Sequence, residues 1–187
     1  AGISFAGPKK IQTLKAVGRV AELEKKCASK ESDGNVGIAH TRWATHGKPS
    51  EKNAHPHQDC SGQISLVHNG IVENYQELKD SLVQKGHRFR SETDSEVIAH
   101  LFEEELKQAD SEAAFFSALK QLKGTYGLAV LCAREPGKLF VARMGSPLVV
   151  GMGKDGYMVA SDVSAMVGHV ERVVYLEDGE VAIMSAK

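Results

Sequence analysis

Eight consecutive residues, His40-Thr41-Arg42-Trp43-Ala44-Thr45-His46-Gly47, bring together a guanidinium, the chain's only Trp, two hydroxyls and two imidazoles. That density favours a binding site. The planar fork of Arg42 suits a carboxylate or phosphate held through two parallel, charge-assisted hydrogen bonds. The plainer reading of a lone Arg is a rim ion pair, but the company of Trp43, Thr45 and His46 favours a ligand. Asp94, within Ser91-Glu92-Thr93-Asp94-Ser95-Glu96, either grips a ligand ammonium or favours the start of the next helix through its dipole. Together Arg42 and Asp94 would make a zwitterion clamp, guanidinium to α-carboxylate and carboxylate to α-ammonium. Asn69-Gly70, after His68, offers a side-chain amide and a backbone N–H that can aim at a developing oxyanion. A simple Asn-Gly hairpin turn explains the same letters.

Two other chemistries are set aside. His40, His46, His55, His57 and Cys60 invite a metal, yet their spacing matches neither paired Cys-x-x-Cys units nor His-Glu-x-x-His on a helix, so no metal is assigned. Gly145, Gly151, Gly153 and Gly156 contain only a lone G-x-G fragment. A phosphate loop needs a strand before it and a helix after it, so no nucleotide or other cofactor is expected.

The elements that must carry these residues follow from periodicity. Ile11, Leu14, Val17 and Ala21 recur at three- and four-residue intervals, which predicts an amphipathic helix over 9–27. Val36, Ile38, His40 and Arg42 alternate as a strand would, delivering Arg42 and Trp43 to its end. Ile64–His68 reads as a second strand stopped by Asn69-Gly70. Tyr75, Leu78, Leu82 and Val83, closed by Gly86, predict a helix over 73–85. Thr93 with Glu96 fits a capping box ahead of Val97, Ile98, Leu101, Phe102 and Leu106. A third helix is expected from Ser111 to Leu122, closed by Gly124. From Tyr126 onward, β-rich runs at 126–132, 138–143, 147–152, 157–160, 172–177 and 180–184 alternate with turn residues. Glu135-Pro136-Gly137, Lys154-Asp155-Gly156 and Asp178-Gly179 predict hairpins, hence an antiparallel meander. Without repeated βαβ units, one α+β domain spanning 1–187 is the economical architecture.

Composition bounds the partners. The 187 residues are 42% hydrophobic, enough for a core, and 23 basic against 24 acidic residues leave a formal charge of −1. No global field collects nucleic acid or an anionic membrane. No apolar run approaches the roughly 20 residues needed to cross a bilayer. Cys27, Cys60 and Cys132 are an odd, widely spaced set that argues against a disulfide framework. A cytoplasmic location is expected.

The motifs His40–Gly47, Asn53-Ala54-His55-Pro56-His57, Val67-His68-Asn69-Gly70-Ile71, Ser91-Glu92-Thr93-Asp94 and Gly145-Ser146-Pro147-Leu148 together resemble the glutaminase domain of the isomerizing glutamine–fructose-6-phosphate aminotransferases, the glucosamine-6-phosphate synthases. The resemblance runs over essentially the whole chain. It implies an N-terminal-nucleophile (Ntn) hydrolase-like fold, an αββα four-layer sandwich with two antiparallel sheets. It further implies hydrolysis of L-glutamine to L-glutamate, with ammonia delivered to a sugar phosphate in a synthase domain. In those terms Arg42 would hold the glutamine α-carboxylate, with Thr45 and His46 in the same loop. Asp94 would hold the α-ammonium, Asn69 and Gly70 would form the oxyanion hole, and Trp43 would line the ammonia exit.

One departure bears on mechanism. The family's nucleophile is an N-terminal Cys whose own α-amine acts as base, a group titrating near 7.7–8.0. Residue 1 here is Ala, and Ala1-Gly2-Ile3 resembles the interior of the family's Asp-Ser-Ala-Gly strand. The nucleophile strand is therefore expected to be missing and the chain inactive alone. An internal Cys has no free α-amine and would need a separate base. An open sheet edge left by such a strand invites pairing with another chain, including a homo-oligomer. A rival reading is a non-catalytic amino-acid-binding or interaction module on the same fold.

Overall fold

The structure, a computed structural model, describes residues 1–8, 10–28, 34–41 and 50–185. The long apolar strands of the second half build its centre. β5 (Ile64–Val72), β6 (Gly124–Cys132), β7 (Lys138–Met144), β11 (Val181–Ser185) and the two-residue β4 (His57–Gln58) form an antiparallel sheet of order β11-β7-β6-β5-β4. Period-2 alternation sends successive side chains to opposite faces, and here both faces are buried. Ile64, Leu66, Leu128, Val130 and Phe140 face α2 (Tyr75–Gln84), α3 (Glu96–Glu105) and α4 (Ser111–Leu119), in a core shared with Leu82, Ile98, Phe102 and Phe115. The rings of Phe102, Phe115 and Phe140 lie 5.5–6.0 Å apart. Each such buried ring contributes about 1.5–3 kcal/mol.

The interleaved residues Val67, Ala129, Leu131 and Val141 meet a second apolar cluster with Ala6, Ile11, Ile38, Leu148 and Val150. Those partners come from two smaller antiparallel sheets, β2-β1-β3 and β10-β8-β9. The first joins β1 (Gly2–Ala6), β2 (Ile11–Lys15) and β3 (Val36–His40); the second joins β8 (Val149–Met152), β9 (Tyr157–Ala160) and β10 (Arg172–Tyr175). Helices, central sheet and smaller sheets are thus stacked in an α+β arrangement. Among the described residues β3 and β9 are each paired on one side only. Between them a cavity of about 790 Å³ is lined by Gly37 and Ile38, by Tyr157 and Met158, and by Val67 and Ala129 of the central sheet.

Several local expectations are corrected. The helix expected over 9–27 is two elements, strand β2 followed by α1 (Val20–Ala28), separated near Gly18 at φ 98°. Ile11 and Leu14 fit a helical stripe, but β2 gains a ladder of partners with β1 that a local pattern does not reveal. The segment 64–68 does not stop at Asn69-Gly70, because β5 runs to Val72 and pairs with β6 throughout. Gly124, expected to close a helix, opens β6 at φ 113°, and α4 ends at Leu119. The capping box fails as well. Ser95 precedes α3 without a side-chain cap, while the Glu96 carboxylate accepts the N–H groups of Arg90 and Ser91 and the Ser91 hydroxyl at 2.6–2.7 Å. Asp178-Gly179 joins β10 to β11 across two different sheets, so it is a crossing and not a hairpin. The other two expected hairpins, β6–β7 and β8–β9, form. No helix among the described residues is long and apolar enough to cross a membrane, which leaves β-barrels untouched.

Candidate active site

Asn69 and Gly70 lie inside β5, opposite Gly127 and Tyr126 of β6. β4 pairs only with Ser65 and Leu66, so beyond Leu66 the outer edge of β5 faces no strand among the described residues. A Cβ on Gly70, at φ 135°, would stand 2.1 Å from the Thr125 carbonyl oxygen. Only glycine allows that approach. The turn reading of Asn-Gly is therefore overturned, and the two residues stand in a strand with an accessible edge.

Their neighbours fix their orientation. The His40 ring Nε2 is 2.8 Å from Asn69 Oδ1. With Oδ1 accepting there, the Asn69 amide N–H₂ is turned away and has no hydrogen-bond partner among the described residues. Asp94, half-buried just before α3, accepts the Val72 N–H through Oδ2 at 2.8 Å. Its carboxylate thus ends β5 and does not cap α3. Among the described residues Oδ1 meets only Ser95 Oγ, at 3.4 Å, and keeps accepting capacity for a cation. Gly145, beside Ser146-Pro147-Leu148, bridges to Tyr126, and Gly127 packs on the Pro147 carbonyl. That brings three of the sequence motifs to one end of the central sheet.

A floor of imidazoles lies beneath. His68 Nε2–H donates to the Thr125 carbonyl at 3.2 Å, so its neutral ring presents Nδ1 as an acceptor to the Ser95 hydroxyl at 2.9 Å. The Ser95 oxygen then takes His55 Nε2–H at 3.1 Å. Burial pushes the pKa of His55 well below its ordinary value, assisted by His57, His40 and His68. Burial lowers His68 too, opposed by the Asp94 carboxylate. A neutral His55 leaves Nδ1 as a bare lone pair, and that atom has no partner among the described residues. Asn53 and Glu92 exchange two hydrogen bonds, at 3.0 and 3.1 Å, and Thr93 Oγ1 meets His57 Nε2 at 3.1 Å. These contacts lock the Asn53–His57 loop to the Ser91–Asp94 loop.

Of the residues singled out from sequence, the structure brings together Asn69, Gly70 and Asp94. Arg42, Trp43, Thr45 and His46 lie outside the described residues. Ser95 and Thr125, which set the imidazole tautomers, were not singled out; each looks like an ordinary polar residue at an element boundary. Cys60 is not grouped with His55 and His57 as a ligand set, but faces His87, His100 and Glu103.

Comparison with known proteins gives the class, a glutamine amidotransferase domain. The model of the glutamine amidotransferase domain family matches residues 20–184, and the chain belongs to that family. It is 51% identical over 186 residues to the isomerizing glutamine–fructose-6-phosphate aminotransferase of Pyrococcus horikoshii and 50% identical over 186 residues to that of Thermococcus kodakarensis. Each match covers 99% of this chain and 31% of the relative, so the chain spans about a third of the length of these curated relatives. Among solved structures, the glutamine phosphoribosylpyrophosphate amidotransferase of B. subtilis, complexed with ADP and GMP, superposes with a TM-score of 0.76 at 28% identity. That superposition covers 98% of this chain and 40% of the other.

Proposed function

We propose that this chain is the glutamine-binding, ammonia-supplying domain of a longer cytoplasmic enzyme that makes glucosamine-6-phosphate from fructose-6-phosphate and L-glutamine. The observation that carries the reading is the placement of Asn69 and Gly70 in an edge-exposed strand, next to an Asp94 carboxylate with spare accepting capacity. Asp94 receives the α-ammonium and Arg42 the α-carboxylate, with Thr45 and His46 beside it. Asn69 Nδ2 and the Gly70 N–H stabilise the oxyanion of the tetrahedral intermediate, and donors fixed in advance cost no reorganisation in the transition state. Trp43 lines the path by which ammonia leaves toward the synthase domain.

The nucleophile is assigned outside these 187 residues. Cys132 is buried opposite Ile64, at the other end of β5 from Asn69; Cys60 faces two imidazoles and a carboxylate; Cys27 lies on α1. The cavity between β3 and β9 is the space we give to the strand that brings a Cys, completing the αββα sandwich. Two experiments test these assignments. In the full-length enzyme, Arg42→Ala and Asp94→Ala should each lower kcat/KM for glutamine about 10- to 100-fold, the value of about 1.4–2.7 kcal/mol of lost charge-assisted binding. Synthesis from added ammonia should change less. Unchanged glutamine kinetics would refute the clamp. The 187-residue chain alone should release ammonia from glutamine at background, and clear turnover would refute an external nucleophile. Glutamine binding by the chain with no turnover in the full-length enzyme would favour the non-catalytic module.

A further inference from the structure

On the helix side of the central sheet, away from Asn69 and Asp94, four donor atoms converge from three segments. Cys60 follows β4, His87 follows α2, and His100 and Glu103 lie on α3. Cys60 Sγ is 3.8 Å from His87 Nδ1 and 3.6 Å from His100 Nδ1; Glu103 Oε2 is 2.8 Å from His87 Nδ1 and 3.2 Å from His100 Nδ1. All four atoms lie within 4.8 Å of one another. Tetrahedral zinc with Zn–S about 2.3 Å and Zn–N or Zn–O about 2.0–2.1 Å places its ligand atoms roughly 3.3–3.6 Å apart. Those four separations differ from that spacing by about half an ångström or less, with the His87–Glu103 contact having to open.

The outer contacts point the same way. The far nitrogen of His87, Nε2, meets Glu104 Oε2 at 2.9 Å, and that of His100 meets Glu96 Oε1 at 3.4 Å. A carboxylate on Nε2 fixes the proton there and turns the Nδ1 lone pair inward, as metal-bound histidines are held. With no cation, both inward lone pairs would confront the Glu103 carboxylate. The Arg88 N–H donates to Cys60 Sγ at 3.3 Å, a contact suited to a thiolate. One thiolate, one carboxylate and two neutral imidazoles carry two negative charges, which a divalent cation balances.

We propose that Cys60, His87, His100 and Glu103 form a structural zinc site that ties the 59–63 loop and the segment after α2 to α3. Thiolate and imidazole donors select zinc over magnesium or calcium, and four protein ligands close the coordination sphere. The site is independent of the glutamine reading and sits on none of its residues. The test is titration of the chain with zinc(II) against a chromophoric chelator, with cobalt(II) as a spectroscopic substitute. One tight equivalent is expected, together with intense visible bands of tetrahedral cobalt and a near-ultraviolet thiolate-to-cobalt band. Cys60→Ser should abolish the thiolate band. Glu104→Gln should weaken zinc about 10- to 100-fold and leave one equivalent bound, with circular dichroism reporting that both variants fold. Absence of stoichiometric binding, a weak octahedral cobalt spectrum, or Cys60→Ser binding zinc as the parent does would each overturn the assignment. The first two outcomes would leave the cluster as a hydrogen-bond network of His87 and His100 with Glu96, Glu103 and Glu104.

Discussion

Two groups of buried imidazoles flank α3, and their surroundings differ in one respect. His55 and His68, at its start, share a neutral hydroxyl, Ser95; His87 and His100, further along, have carboxylates on both ring nitrogens. The first group is held neutral by burial and serves as a floor beneath Asn69 and Gly70. In the second, Glu104 and Glu96 are placed to hold the Nε2 protons when a cation takes the two Nδ1 lone pairs. The same side chain therefore becomes scaffold or ligand according to whether its partner is a hydroxyl or a carboxylate, since only a carboxylate compels the far nitrogen to keep its proton.

The largest effect should come from the carboxylate side. Glu96→Ala removes the acceptor of two backbone N–H groups, the Ser91 hydroxyl and His100, and should cost about 3–5 kcal/mol in urea denaturation. A loss below about 1 kcal/mol would deny Glu96 its place as the hub of this region. Burial alone would raise its pKa, but these hydrogen bonds outweigh that and hold it at about 2. Next comes Gly70→Ala, whose Cβ would collide with the Thr125 carbonyl at a positive φ. About 2–3 kcal/mol should be lost, and a neutral effect would mean that β5 is not constrained as described.

On the hydroxyl side, Ser95→Ala strips one partner from each of two imidazoles and should cost about 1–3 kcal/mol. Acid should act through the same rings. His55 and His68 have folded pKa values below the ordinary 6.5, so the unfolded chain binds their protons more readily and stability falls as pH drops below 6.5. For each ring the slope reaches at most about 1.4 kcal/mol per pH unit. Denaturation midpoints measured from pH 7.5 to 5 should show it, and His55→Gln should flatten the profile. The smallest effect concerns Lys15, whose pKa burial lowers to about 8. Its charge costs stability below pH 8, and that cost is relieved as pH rises from 8 toward 10.5. Lys15→Met should therefore gain about 1 kcal/mol at pH 7, after allowing for solvent screening. Thermal melts at pH 7 and 10 should show the gain shrinking.

What sequence could reveal depended on how local each feature is. The β6–β7 and β8–β9 hairpins were legible because strand and turn lie side by side in the chain. β2 was not, since Ile11 and Leu14 fit a helical stripe equally well and the partner strand β1 settles the matter. Asn69-Gly70 reads from its letters either as a pair of donors or as a turn, and what excludes the turn, the Thr125 carbonyl that requires glycine, belongs to a strand far along the chain. Asp94 was singled out, but its bond to the Val72 N–H was not foreseeable. The Cys60, His87, His100 and Glu103 cluster matches no short spacing, because three separate elements supply it.

β6 has hydrogen-bonded neighbours on both sides and is buried from Tyr126 to Cys132. Its amides should exchange with deuterated solvent only when the whole domain unfolds, whereas the outer edge of β5 beyond Leu66 can open locally. Asn69 and Gly70 therefore stand at a boundary between the slowest and the faster exchanging parts of the molecule, with one flank clamped to β6 and the other facing no strand among the described residues.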